Sequence, residues 1–213
     1  MRSYGQYCSV AKALDVLGDR WTLLIVRELL LRGPLRYTDI RDGLPGIATN
    51  LLAERLRQLE DHAVVAREDA PPPIATTLFR LTERGERLRG VLEDLGRWGA
   101  PLMFTPSGDE VFRGHWLALP ADLFLRDRTP DEAPIRIAIA ADDQHVVLET
   151  VDGGVRTRPG TTEDPDAVLS GDPQVVLGLL TGRLSLPEAR ERGLHYRGDA
   201  KALRRIQPTA PIG

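Results

Sequence analysis

The stretch LPGIATNLLAERLR, residues 44–57, decides the fold of the N-terminal half. A Pro-Gly turn leads into a helical pattern that places Leu52, Leu56 and Leu59 on one face. Since each helical residue turns the chain by about 100°, the opposite face presents Asn50, Glu54 and Arg57. Amide and guanidinium groups on an exposed helix face suit contacts with base edges in DNA. The same groups also occur on helices that only face solvent. The neighbouring elements are therefore needed to distinguish a DNA-reading helix from a solvated surface helix.

Those neighbours predict a winged helix-turn-helix, a mainly α-helical fold with a β-wing. The reading helix is predicted over Thr49–His62. Three helical patterns precede it, at Ser9–Leu17, Trp21–Leu31 and Tyr37–Leu44. Two short runs follow and predict a hairpin, Val64–Arg67 and Leu78–Leu81, whose connection contains three consecutive prolines. A last helix, capped by Thr82, is expected to run to about Met103 with a spare apolar face that favours dimerisation.

In a winged helix-turn-helix the second helix of the motif enters the major groove and the wing lies against the flanking backbone. The sequence therefore predicts double-stranded DNA as a partner. The candidate DNA contacts are Thr49, Asn50, Glu54, Arg55 and Arg57 on the reading helix, with Arg67 and Arg80 on the wing. For each wing arginine, an ordinary solvated side chain is the alternative interpretation.

The N-terminal half also resembles a known family. Residues 8–99 resemble the HxlR family of bacterial transcriptional regulators, through ALDVLGDRWTLLIVREL, LAERLRQLE, FRLTERG and LEDLGRWG. The resemblance implies a homodimer on a roughly palindromic operator, with Thr22–Leu31 as core and Thr49–His62 as recognition helix. Two departures concern the start of that helix. Ala48 replaces a usual capping serine, and Thr49-Asn50 stand where relatives often have lysine or glutamine.

Composition and charge limit the function classes. Of the 213 residues, 42% are hydrophobic and 28% charged, as in an ordinary globular protein. No run of about 18 apolar residues and no signal-peptide core are present, so we expect a cytoplasmic protein without a membrane partner. Residues 1–108 hold 15 basic and 14 acidic residues, a net charge of +1, and residues 109–213 hold 13 and 17, a net charge of −4. A nearly neutral DNA-binding half must gather its arginines locally.

The single cysteine, Cys8, excludes an intrachain disulfide. It matches the N-terminal cysteine through which some HxlR-type regulators sense oxidants or electrophiles, although Ser9 replaces the proline that usually follows. Lys12, one helical turn further on, is expected to lower the thiol pKa if both side chains face the same way. A small, unreactive hydrophobe at a dimer edge is the alternative interpretation.

The C-terminal half has a different pattern, and a composition break at residues 105–109 separates the two. We predict two domains, residues 1–105 and 110–213, and an α+β fold overall. The second domain is predicted as an antiparallel sheet with covering helices. Its strands are expected at Ile135–Ala140, Val146–Val151, Val155–Arg158, Ala167–Ser170 and Leu194–Arg197. Its helical segments are Phe112–Leu125, broken by Pro120, then Pro173–Leu180, a short helix from Pro187, and Asp199–Ile206.

The end of the chain, from VLSGDPQVVLGLLTG to the final helix, resembles sterol-carrier-protein-type domains, which bind lipids or other apolar molecules between a sheet and helices. The resemblance implies a small apolar ligand. Candidate wall residues are Trp116, Leu119, Phe124, Ile137, Ile139, Val147, Leu177 and Leu180. Ordinary core packing is the alternative for each of them.

The sequence provides no catalytic, cofactor or metal motif. The four histidines, His62, His115, His145 and His195, lack the spacing of a helical metal pair, and no nucleophile elbow or phosphate loop occurs. We therefore expect a non-enzymatic, dimeric transcriptional regulator controlled by an apolar ligand. Two alternatives stay open: a thiol redox regulator acting through Cys8, and a lipid-binding protein whose N-terminal half only dimerises.

Overall fold

The structure is a computed structural model that describes residues 3–70, 76–104 and 110–208. The chain divides into two compact units, the N-terminal unit Met1–Leu92 and the C-terminal unit Glu93–Gly213. The predicted domain boundary at 105–109 lies outside the described residues. Within the described ranges, no helix has the length and apolarity needed to cross a membrane.

Four helices begin the N-terminal unit: α1 Ser9–Leu17, α2 Thr22–Arg32, α3 Tyr37–Asp42 and α4 Thr49–Asp61. They agree with the helices expected from the apolar spacing to within two residues at each end. Helix α2 contributes Ile25, Val26 and Leu29 to the core, and α4 contributes the leucine face that its spacing predicted. The core thus fixes α4 by one face and leaves its other face to solvent.

The predicted wing is present. Strands β2 Val65–Asp69 and β3 Thr77–Leu81 pair antiparallel, and the proline-rich tip at residues 71–75 lies outside the described residues. A short strand that the sequence analysis missed, β1 Leu35–Arg36, pairs with β3 on its other side. Only two residues of β1 join the ladder, too few for a periodic pattern to reveal a strand.

The helix expected from Thr82 to Met103 is divided into three pieces, α5 Glu83–Glu86, α6 Arg89–Gly99 and a 3₁₀ helix Ala100–Phe104. Thr82 does cap the first piece, since its hydroxyl accepts a hydrogen bond from the Gly85 amide at 3.1 Å. A Cβ on Gly85 would lie 2.2 Å from the Val64 carbonyl oxygen, so α5 packs directly against the backbone that enters the wing. Gly85 and Gly90 bracket the break, and glycine lowers helix propensity.

The C-terminal unit contains a five-stranded sheet in the order β6-β5-β4-β7-β8. Its strands are β4 Arg136–Ala141, β5 Gln144–Val151, β6 Gly154–Pro159, β7 Ala167–Ser170 and β8 His195–Gly198. The prediction of an antiparallel sheet is wrong at one position, because β4 and β7 run parallel and the sheet is mixed. Residues 160–166 connect β6 to β7 and are short and non-helical. The sequence before β7 therefore lacks the helical crossover that usually indicates a parallel strand.

Helices α7 Ala118–Phe124, α8 Pro173–Leu180, α9 Leu186–Glu191 and α10 Ala200–Ile206 cover one face of this sheet. The strand residues of that core alternate along the chain, as with Ile137 and Ile139 on β4. The prediction that Pro120 breaks the helical stretch Phe112–Leu125 is wrong. Pro120 lies in the first turn of α7, where a missing amide hydrogen costs no intrahelical bond.

Candidate nucleic-acid interface

The turn between α3 and α4 holds the reading helix in a defined place. The Tyr37 hydroxyl, at the first residue of α3, donates a hydrogen bond to the Thr49 carbonyl at 2.5 Å. Ile40, Leu44 and Ile47 are buried beneath the turn. Tyr37 was not among the predicted site residues, because an aromatic residue at a helix start gives no indication of its hydrogen-bond partner. The start of α4 is therefore tied to α3 by a side chain as well as by the core.

The exposed face of α4 contains the predicted polar residues. Thr49, Asn50, Glu54 and Arg57 are all exposed. Two of them are already engaged locally: the Asn50 Oδ1 accepts from the Leu51 amide at 3.0 Å, and Glu54 Oε1 accepts from Gln58 at 3.1 Å. The Asn50 oxygen thus satisfies the Leu51 amide, one of the first-turn amides without an intrahelical partner.

Arg57 differs from the other arginines of the predicted site. Among the described residues, its guanidinium has neither a carboxylate nor a hydrogen-bond partner. Its full set of donors is therefore available to an external acceptor such as a guanine edge or a phosphate.

Arg55 has a different environment from the one predicted for a DNA contact. Its side chain is 15% exposed, and its Nη1 lies 2.6 Å from Asp19 Oδ2, in the loop before α2. Spacing on α4 could not reveal this, because the partner lies 36 positions earlier in the sequence. The geometry gives Arg55 the role of fastening α4 to the α1–α2 loop.

Both wing arginines are exposed but paired with carboxylates. Arg67 Nε lies 2.8 Å from Glu60 Oε1, and its guanidinium stacks on the Phe79 ring at 5.3 Å. Arg80 Nε lies 3.1 Å from Glu68 Oε2 on the neighbouring strand. A phosphate that approaches the wing must therefore compete with Glu60 and Glu68.

Cys8 is exposed and forms the N-cap of α1. The backbone amides of Ala11 and Val10, in the first turn of α1, lower the pKa of its thiol because they favour the thiolate. Lys12, which we expected to supply this effect, instead lies 3.9 Å from Asp15. Helix position rather than a neighbouring cation thus accounts for the shift.

Large apolar side chains are exposed on two helices. On α1 these are Val10 and Leu14, and Tyr7 lies just before that helix; on α6 they are Val91, Leu95 and Trp98. Trp98 is 75% exposed, which is unusual for the largest apolar side chain. Runs of such residues on one side of a helix mark contact surfaces more often than solvent-facing ones.

The predicted ligand-pocket residues are largely core. Ile137, Ile139, Leu177 and Leu180 belong to the buried cluster between sheet and helices. Val147 is buried on the opposite sheet face, and Trp116, Leu119 and Phe124 are half-buried. Leu177 and Leu180 line a cavity of about 10 Å³, close to the space for a single water molecule. A larger ligand in this place would require the helices to move away from the sheet.

Comparisons with known proteins concern mainly the N-terminal half. Residues 16–105 match the family described as HxlR-like helix-turn-helix. The HTH-type transcriptional regulator YodB of Bacillus subtilis is 35% identical over 46% of this chain and 86% of its own length. An uncharacterized HTH-type transcriptional regulator of Mycobacterium bovis, Mb3122, is 34% identical over 59% of this chain and 86% of its own length.

One of the similar solved structures is that of a relative already named. The reduced form of YodB from B. subtilis has 33% sequence identity and a TM-score of 0.40, and the match covers 49% of this chain and all of that one. The coverage and identity of these relatives show the family: the chain belongs to the HxlR-like helix-turn-helix family of transcriptional regulators.

Proposed function

We propose that this protein is a homodimeric regulator that binds an operator in double-stranded DNA with α4 in the major groove. The observation that carries the proposal is the exposed face of α4, where Arg57 has no partner within the described chain. Asn50 retains its two amide hydrogens, because only its oxygen is engaged. Arg67 and Arg80 are the proposed phosphate contacts on the wing.

A second copy of the chain is the proposed partner for the exposed apolar residues of α1 and α6. Val91, Leu95 and Trp98 follow one another at spacings of four and three residues, the spacing of one helix face. Burial of such side chains against a symmetry-related copy removes apolar surface from water. A dimer also doubles the number of phosphate contacts, which the DNA-binding half requires because residues 1–108 have a net charge of only +1.

The paired arginines of the wing predict moderate, salt-sensitive affinity. Exposed ion pairs contribute about 0–1 kcal/mol, so exchange of Glu60 or Glu68 for a phosphate oxygen costs little. The released carboxylates stay near the DNA, however, and repel it. Arg57 faces no such competition from a described residue, and we therefore expect it to contribute more than either wing arginine.

Arg57→Ala should weaken binding to the cognate operator by about 1–3 kcal/mol, as loss of a base contact does. Fluorescence anisotropy with the operator and with scrambled duplexes measures the effect. Arg192→Ala, which removes an exposed arginine of the C-terminal unit, is the control and should bind as the parent does. A base contact predicts that the loss is confined to the operator. An unchanged Kd would contradict a DNA contact at Arg57, and an equal loss on all duplexes would reassign it to phosphate.

Selection from random duplex DNA with the full-length protein tests the proposal as a whole. Enrichment of a near-palindrome with half-sites about 34 Å apart, or a multiple of that distance, is the expected result. If the intact protein enriches no sequence at low salt, operator binding is wrong and the lipid-binding alternative gains support.

Control by a small apolar ligand in residues 110–213 is part of the proposal. A sheet with helices on one face supports it, since such a layer can open along the sheet–helix contact. The ligand can act only through different affinities for the DNA-competent and DNA-incompetent states. Operator titrations that superimpose with and without an apolar ligand would contradict this control.

A thiol switch at Cys8 is the second candidate, favoured by an exposed thiol whose pKa is lowered at a helix N-terminus. Because the chain has one cysteine, oxidation by diamide would join two chains: two thiols lose two protons and two electrons, and the diamide is reduced to its hydrazine. We expect diamide to produce a covalent dimer on non-reducing gels and to weaken operator binding about tenfold or more. Cys8→Ser should abolish both effects, and a Cys8→Ser protein that still responds would exclude the switch.

A further inference from the structure

A polar cleft of about 500 Å³ lies in the C-terminal unit. Its floor is formed by Arg136 on β4, Glu149 on β5 and Arg158 on β6. The strand register places all three on the sheet face opposite the one that carries Ile137 and Leu148. Its volume falls within the usual range of small-molecule sites, about 300–1,000 Å³.

One carboxylate holds the two arginines of the cleft. Glu149 Oε1 lies 3.1 Å from Arg158 Nε and 3.8 Å from Arg136 Nε. Arg158 also donates through Nη1 to the Thr161 carbonyl at 3.1 Å. Within the described ranges, the two Nη atoms of Arg136 and the Nη2 of Arg158 keep their donors unengaged. The floor therefore has one net positive charge and donors that are already positioned.

The walls restrict what those donors can receive. Ile135, Val151 and Pro134 supply apolar surface, which suits an organic body. Asp152 also lines the cleft and would repel a second negative charge on a ligand, and so would Glu132, although its carboxylate lies 3.6 Å from Arg205. The Asp127 carboxylate lines it too but is paired with Arg205. The net positive charge of the floor favours an anionic ligand, and the acidic side chains around it disfavour a second negative charge. Together with the apolar walls, these features favour an organic ligand with a single carboxylate.

We propose that this cleft binds an amphipathic organic monocarboxylate, whose carboxylate pairs with Arg136 and Arg158 while its hydrocarbon part contacts Ile135 and Val151. The site is separate from the sheet–helix pocket considered above, and it does not depend on DNA binding. Glu149 orients both guanidinium groups and also weakens the binding by its own negative charge.

Isothermal titration calorimetry of the full-length protein with sodium octanoate and sodium benzoate tests the proposal. Octanoate should bind, whereas 1-octanol and octylamine, which lack the carboxylate, should not. Arg136→Ala should weaken octanoate binding about tenfold or more, and Arg197→Ala, which removes an exposed arginine on β8, should leave it unchanged. Circular dichroism melting confirms that each variant is folded.

Glu149→Gln should change octanoate affinity in the opposite direction from Arg136→Ala. Loss of its negative charge should tighten octanoate binding about threefold or more and admit suberate, a dicarboxylate that the parent protein should reject. No heat of octanoate or benzoate binding to the parent would overturn the proposal. Equal octanoate affinity in the parent and the Arg136→Ala protein would overturn it as well.

Discussion

Arg205→Ala is expected to lower the free energy of unfolding of the C-terminal unit by about 3–5 kcal/mol, the usual cost of removing one member of a buried ion pair. The Arg205 side chain is 8% exposed and that of Asp127 is 4% exposed. The guanidinium binds both carboxylate oxygens, at 2.7 and 2.8 Å, and donates further to the carbonyls of Ala133 and Thr129. One side chain of α10 thus holds the whole loop that leads into β4, and its loss leaves Asp127 buried without a cation.

Hydrogen–deuterium exchange of the full-length protein locates the effect. Peptides that cover residues 127–141 and 200–206 should exchange faster in the Arg205→Ala protein, whereas those from α2 in the N-terminal unit should not change. Arg204→Ala is the matched control, since it removes an exposed arginine from the same helix. Equal protection in the parent and the Arg205→Ala protein would show that the ion pair contributes little.

The Arg205–Asp127 pair also predicts how the stability of the folded protein depends on pH. The hydrogen bond from Arg205 lowers the pKa of the Asp127 carboxyl in the folded protein, and the Thr129 amide adds to this effect. The stabilisation is therefore fully present above the ordinary aspartate pKa of about 3.9 and is lost as the pH falls through the lower, folded value. The stability difference between the parent and the Arg205→Ala protein should narrow below about pH 4.

The secondary structure was predictable wherever local signals agree. Helix α8, Pro173–Leu180, begins where expected because Asp172 caps it and Pro173 fits the first turn. The sheet topology was not predictable in the same way. Strand β7 has the expected bounds, but its parallel pairing with β4 depends on the path of residues 160–166. Alternating apolar residues reveal that a strand has a buried face, and they do not reveal its neighbour.

In the candidate DNA-binding site, too, local features were predictable from the sequence and long-range contacts were not. Helical spacing is local, and it correctly assigned Asn50, Glu54 and Arg57 to the exposed face of α4. Ion pairing is not local. The Arg55–Asp19 contact depends on how α4 packs, and the Arg80–Glu68 contact depends on the register of the hairpin. Sequence reasoning therefore supplies the candidates, whereas the structure separates the available cation from those that already have partners.

Glu28→Ala is expected to destabilise the N-terminal unit by about 3 kcal/mol, at the lower end of the range for a broken buried ion pair. Glu28 is fully buried, with Arg27 Nη2 at 2.7 Å and Arg32 Nη1 at 3.5 Å from its carboxylate oxygens. The two arginines are partly exposed and can reach water after the change, which limits the loss. Urea unfolding followed by circular dichroism gives the change in the free energy of unfolding. Hydrogen–deuterium exchange in α2 shows whether the change affects the N-terminal unit. Glu83→Ala is the control, because its exposed pair with Arg87 should contribute less than about 1 kcal/mol.

A double-mutant cycle with Gly43 tests whether the Glu28 carboxylate itself shapes the helix-turn-helix. A Cβ on Gly43, at the end of α3, would lie 2.1 Å from Glu28 Oε2. Gly43→Ala should therefore cost about 1–3 kcal/mol in the parent protein and clearly less in the Glu28→Ala protein, where the obstructing oxygen is gone. Gly90→Ala is the steric control, since nothing lies within 4 Å of its added Cβ and alanine favours the helix. Additive effects of the Gly43 and Glu28 changes would mean that the carboxylate does not hold this turn. Coupling of about 1 kcal/mol or more would instead show that a buried charge on α2 sets the close approach of the turn that positions α4.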